Sequence, residues 1–130
     1  MKLLLILAML FGTNLYAKPA SISDVKTLNV AIEVAKANTD GVYVLAFVAA
    51  WCPACKSFAP VLEKASKVKG VEVITVDVDI LGKDIAKTQI NPSNDVPEFR
   101  SIPFTMIIKK GKITTVSGYI SIEKLMEKIK

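Results

Sequence analysis

Cys52 and Cys55 are separated by Pro53 and Ala54, and they are the only two cysteines in a chain of 130 residues. The chain contains no histidine. Ser-His-Asp and Cys-His nucleophilic catalysis are therefore excluded, along with histidine acid–base chemistry and every histidine-ligated metal or haem centre. Two thiolates do not complete a four-ligand zinc site, so no metal is expected. Covalent haem attachment wants a histidine after the second cysteine, and that position is Lys56. No cofactor is expected. What remains is sulfur chemistry, either a permanent cross-link or thiol–disulfide exchange. A bridge closing so short a loop constrains the unfolded chain little and stabilises it only slightly. Exchange needs an attacking thiolate that forms a mixed disulfide, and a second thiol that resolves it.

The flanking residues say how the pair is positioned. Residues 42–48 (VYVLAFV) are almost continuously apolar, with β-branched and aromatic members. That pattern fits a strand buried on both faces. A helical stripe of Phe58, Val61, Leu62, Ala65 and Val68 follows the cysteines and predicts a helix to about residue 69. Pro53 suits the first position of that helix, where its missing N–H costs nothing. Cys52 then falls near the N-cap, beside free backbone N–H groups and the positive end of the helix dipole, and both favour its thiolate. Cys55 lies about one turn on. This arrangement predicts one exposed, activated sulfur and one covered sulfur.

The rest of the chain reads as one domain. Residues 23–37 predict a helix capped by Ser23, with Val25, Leu28, Ile32 and Ala35 inward. Residues 71–78 predict a strand, and 80–90 a short helix. Residues 91–97 (NPSNDVP) are a loop. Residues 104–108 and 113–116 flank Lys109-Lys110-Gly111-Lys112 as a β-hairpin, and Ser121 caps a last helix. An alternating first half followed by a hairpin predicts an α/β fold with a mixed sheet and helices on both faces.

The first residues read as an address. Lys2 precedes an apolar run over residues 3–11, and small Ala17 precedes Lys18 and Pro19. This predicts a signal peptide over residues 1–17, a mature domain over 18–130, and a periplasmic or secreted location. The apolar run is shorter than the roughly 20 residues that span a bilayer. The formal net charge is +5, but the lysines are scattered and form no aromatic-lined patch, so nucleic acid is not an expected partner. Export places the cysteines where disulfides persist.

Trp51-Cys52-Pro53-Ala54-Cys55 after a buried strand, followed by Lys56 and Pro60, resembles the active-site segment of the thioredoxin family. The likeness runs from about residue 42 to the C-terminus. Val76-Asp77-Val78-Asp79 resembles the family's third strand. Ser101-Ile102-Pro103-Phe104 resembles its cis-proline segment, Lys110-Gly111-Lys112 its hairpin turn, and Gly118 the glycine before its last helix. The resemblance implies a thioredoxin-like fold, with Cys52 as nucleophile and Cys55 as resolving thiol. It implies a cis Ile102–Pro103 bond facing the sulfurs, strand-like pairing of the Ile102 backbone with substrate, and Trp51 and Pro53 in the docking surface. Departures are visible too. The family's buried aspartate six residues before the first cysteine is Ala46 here, and the neighbouring lysine aligns with Thr75. The stretch from residue 80 to 97 is longer than usual.

The function implied is a periplasmic thiol–disulfide oxidoreductase acting on protein thiols and disulfides. Oxidising relatives tend to carry histidine between the cysteines; Ala54 favours a reductant supplied by a membrane redox partner. The competing readings are a disulfide donor for folding exported proteins, a thioredoxin-fold binding or chaperone module with an idle pair, and a peroxidase.

Overall fold

A computed structural model of the chain describes residues 19–130. The expected signal peptide, residues 1–17, lies outside the described residues. The elements in order are β1 (Ala20–Ile22), α1 (Val25–Ala37), β2 (Val42–Val48), α2 (Pro53–Ser66), β3 (Val71–Asp77), α3 (Val78–Thr88), β4 (Phe104–Lys109), β5 (Lys112–Ser117) and α4 (Ile122–Ile129). They form one five-stranded sheet in the order β1-β3-β2-β4-β5. β1 and β2 run parallel to β3, whereas β4 is antiparallel to both β2 and β5. The sheet is mixed, as the sequence predicts.

β2 is the middle strand, and its side chains alternate between two cores. Leu45 and Phe47 point to a core shared with Leu28 and Ile32 of α1, Leu81 of α3, and Phe104, Met106 and Ile108 of β4. Val44 and Ala46 point to the other, against Phe58, Leu62 and Ala65 of α2 and Leu125 and Ile129 of α4. A continuous apolar run is what a strand covered on both faces requires. Truncating a buried phenylalanine such as Phe47 costs about 3–5 kcal/mol, a large part of a domain's net stability.

Several predicted boundaries move. Asp24, and not Ser23, caps α1: its Oδ1 accepts the Thr27 N–H at 2.8 Å. α2 ends at Ser66, since Lys67 and Val68 turn back onto Lys64 and Ala65 carbonyls. The third strand stops at Asp77, because the Asp77 carboxylate accepts the N–H groups of Asp79 and Ile80 and starts a helix at Val78. The strand β1, Ala20–Ile22, is too short at 3 residues to show a period in the sequence. The hairpin turns at Lys110 and Gly111, both with positive φ (51° and 76°). Such a turn matches the twist of the strands it joins.

The long connection between α3 and β4 is tied down at named points. Asn29 of α1 donates to the Asn91 carbonyl and accepts from the Ser93 N–H. Lys36 pairs with Asp95 at 2.8 Å. Phe99 stacks on Phe104 with ring centroids 4.5 Å apart and packs on Phe47 at 5.1 Å. The hydrogen bond from Lys36 is the main cause that lowers the Asp95 pKa, and the same bond raises that of Lys36. A depressed carboxylate stabilises the fold above its unfolded pKa, and that contribution is lost as pH falls through the folded value. Asp95→Asn is therefore expected to lower the melting temperature slightly at pH 7. In thermal melts the difference from wild type should shrink as pH falls below about 4. Equal offsets at pH 7 and pH 2.5 would show that the ion pair contributes nothing.

Candidate redox site

β2 delivers the chain to the C-terminal end of the sheet, and α2 begins there. Cys52 is the N-cap of α2, with extended φ and ψ of −86° and 113°, and Pro53 takes the first helical position. The Cys52 N–H donates to the Ala49 carbonyl, and the Cys52 carbonyl accepts the Lys56 N–H. The Cys55 N–H points at Cys52 Sγ at 3.1 Å. A sulfur in this place is held by one of the orphan donors of a helix start and by the dipole, both of which favour negative charge. The two Cα atoms are 5.2 Å apart and the cysteines are joined as a disulfide, within the range that bridges need.

The expected asymmetry of exposure is not found. Cys52 and Cys55 are 4% and 5% exposed, respectively. Ala49 packs with both, and Val48, Val78 and Ile102 close around them. The Ile102 carbonyl oxygen lies 3.8 Å from Cys52 Sγ. In the disulfide this is a contact; in the dithiol it is an acceptor for the Cys52 S–H. The Ile102–Pro103 peptide bond is cis. The segment is held from behind, because Gly118 N–H donates to the Pro103 carbonyl at 2.8 Å. Gly118 itself takes a φ of 85°, which a side chain would strain.

Trp51 is 66% exposed, so its indole is a surface feature beside the pair. Its Nε1–H donates to Asp79 Oδ2 at 2.7 Å, which fastens the ring to the first turn of α3. Asp79 was not foreseen as part of the site. Its signal was the acidic residue just past the third strand, at the end of the sheet that carries the cysteines.

The other side of Cys55 is open. A cavity of about 520 Å³ lies there, lined by Cys55, Lys56 and Glu63 from α2 and by Thr75 and Asp77 from β3. Ala46 pairs with Thr75 on one side and Thr105 on the other. The row that holds a buried carboxylate in the resembled family holds two hydroxyls and a methyl here. Thr105 is fully buried and its Oγ1 has no hydrogen-bond partner among the described residues. Within the described residues no group of three or more acidic, histidine or cysteine side chains gathers as a metal site would need. A disulfide between a helix cap and the next turn, beside the Ile102 carbonyl, can open to a thiolate and a thiol and close again.

A family model described as thioredoxin matches residues 23–130. The thioredoxin of Bacillus subtilis (strain 168) is 30% identical over 93 residues, covering 69% of this chain and 81% of that protein. An H-type thioredoxin of Ricinus communis is 38% identical over 77 residues, 58% of each chain. The solved structure of Malassezia sympodialis thioredoxin superposes with a TM-score of 0.60 at 28% identity, covering 86% of this chain and 88% of that one. With the cysteine pair at the helix cap, the cis-proline beside it and the mixed sheet beneath, these matches make the chain a thiol–disulfide oxidoreductase that belongs to the thioredoxin family.

Proposed function

We propose that this protein is exported and works as a reductant of protein disulfides, with Cys52 as the attacking thiolate and Cys55 as the resolving thiol. Cys52 attacks a substrate disulfide, one substrate thiolate leaves, and Cys55 then displaces the second. The substrate gains two electrons and the pair closes as its disulfide. Trp51, Pro53 and Ile102 form the surface on which the substrate chain lies, with Pro103 buried behind them and the Ile102 backbone pairing to the substrate as a strand would. An electron donor in the membrane restores the dithiol, since the periplasm is held oxidising.

The observation that carries the direction is the environment of Cys52 Sγ. Among the described residues its only N–H donor is Cys55, and Pro53 and Ala54 add no donor or cation. A strongly oxidising pair is one whose reduced form is specially stabilised. This thiolate has only the helix start to hold it. The location rests on Lys2, the apolar run and Ala17.

Equilibration of protein lacking residues 1–17 with glutathione buffers is expected to give a reduction potential at or below about −220 mV; a value near −120 mV would mark a disulfide donor instead. Expressed from the full gene in a bacterial host, the periplasmic protein should show an intact mass beginning at Lys18. Recovery of the full-length chain in the cytosol would refute export. Cys55→Ser should accumulate a mixed disulfide at Cys52, visible as an added mass, whereas Cys52→Ser should lose exchange altogether. Undiminished activity in Cys52→Ser would indicate a binding module.

A further inference from the structure

Cys55 has a proton to lose. Once Cys52 is bonded to a substrate sulfur, Cys55 must attack Cys52 Sγ, and only a thiolate does so. Yet Cys55 is 5% exposed and sits in a cluster with Ala49, closed by Val48 and Val78. Burial among apolar groups favours the neutral thiol. The resolving step therefore needs a base within reach of Cys55.

The cavity of about 520 Å³ brings three ionisable side chains into one lining with Cys55: Lys56, Glu63 and Asp77. The lining from β2, from the turn after it and from the residue before β1 carries no charge. The Lys56 ammonium has no lone pair to accept a proton. Glu63 is exposed and lies eight residues beyond Cys55 on α2, about 12 Å along the helix. Asp77 is placed differently. It is half-buried and stands opposite Val48, where β2 gives way to the cysteine turn. Alternation along β3 puts it on the same face as Thr75 and Val73, and Val73 packs in the core that holds Phe58 and Leu62 of α2. Its Oδ1 accepts the N–H groups of Asp79 and Ile80, both at 3.0 Å, which fixes the carboxylate. Its Oδ2 makes no hydrogen bond or ion pair among the described residues. Thr75 donates its hydroxyl to the Ala20 carbonyl at 3.4 Å, so its remaining lone pairs are free to accept. A water occupies about 30 Å³ and needs two to four polar partners. The Cys55 thiol, Asp77 Oδ2 and Thr75 Oγ1 supply three.

We propose that Asp77 is the proton acceptor for Cys55 in the resolving step, acting through water in this cavity. The Cys55 proton passes to the water, and a proton of the water passes to Asp77 Oδ2. The Cys55 sulfur bonds to Cys52 Sγ, the bond from Cys52 to the substrate sulfur breaks, and the substrate leaves as a thiolate with the electron pair. Asp77 then releases the proton to bulk solvent. In the reverse reaction the same carboxyl returns a proton to Cys55, so the assignment holds for either direction of electron flow. It rests on Cys52 as the attacking and Cys55 as the resolving sulfur.

The test separates the two steps. Reduced protein is mixed with dithiobis(nitrobenzoate) in a stopped-flow instrument. The coloured thiolate is released once when Cys52 attacks and again when Cys55 resolves. Between about pH 6 and pH 8 the wild-type second phase is expected to change by less than about threefold, because a carboxylate base is present throughout. In Asp77→Asn the second phase should be slower at pH 6 by about tenfold or more. It should then rise about tenfold per pH unit, as a thiol ionised by hydroxide does. Asparagine keeps an oxygen for the two N–H groups at the start of α3, so the variant removes the charge and not the cap. Asp77→Ser also caps without a carboxylate and should show the same slope. Glu63→Gln should match wild type in both phases. A wild-type rate and slope in the Asp77 variants would overturn the proposal. So would a tenfold-per-unit slope already present in wild type, a loss shared equally by both phases, or the same loss in Glu63→Gln. Absence of a second release in wild type would instead refute Cys55 as the resolving thiol, a separate result.

Discussion

Everything at the site hangs on the placement of β2. It is hydrogen-bonded to β3 on one side and β4 on the other, and it is covered on both faces. A strand so enclosed has no freedom to slip, because a shift of one residue would exchange Leu45 and Phe47 with Val44 and Ala46 between two differently shaped cores. The register therefore determines where the chain leaves the sheet, and so where Cys52 meets the start of α2. The same sheet determines where Phe104 begins β4, and hence how the Ile102 carbonyl comes to lie over Cys52. Two loops remote in sequence meet at one sulfur because two neighbouring strands end at the same edge.

The parts of this that were legible were those with strong local physics. Residues 42–48 announced a central strand because both of their faces had to be apolar. Pro53 announced the helix start, and with it the cap position of Cys52, because proline tolerates so few other places. The Lys110-Gly111 turn was legible because a tight hairpin needs positive φ. Boundaries set by a single capping side chain were not. Asp24 outcompeted Ser23 as the cap of α1, and Asp77 ended its strand one residue before the expected end at Val78. The burial of both sulfurs was invisible too. It depends on Ile102 and Val78, which come to Cys52 from the two strands that flank β2, at the same end of the sheet. Trp51 was recognised from its neighbours in sequence, but its tether to Asp79 exists only through the fold.

In the proposed exchange, the absence of a carboxylate at Ala46 changes how Cys55 is served. A buried aspartate would have to be ionised or neutral in a dry setting, at considerable desolvation cost. Ala46 removes that cost, and the cavity beside Cys55 places Lys56, Glu63 and Asp77 in the lining it shares with that residue. One cost remains in the row, the unpartnered Thr105 hydroxyl, which is of the order of 1–3 kcal/mol for a buried group of this kind.

The cis-proline segment is fastened through main-chain atoms as well as through its buried side chains. Phe104 enters the ladder with β2 on one side, and the Pro103 carbonyl takes its bond from Gly118 on the other. The Ile102 side chain adds to this by packing on Ala49, Cys52 and Cys55, whereas Ser101 is exposed. The identity of residue 101 is free to drift or to be redesigned while the backbone that faces the sulfur stays put. At that position recognition is evolvable separately from fold.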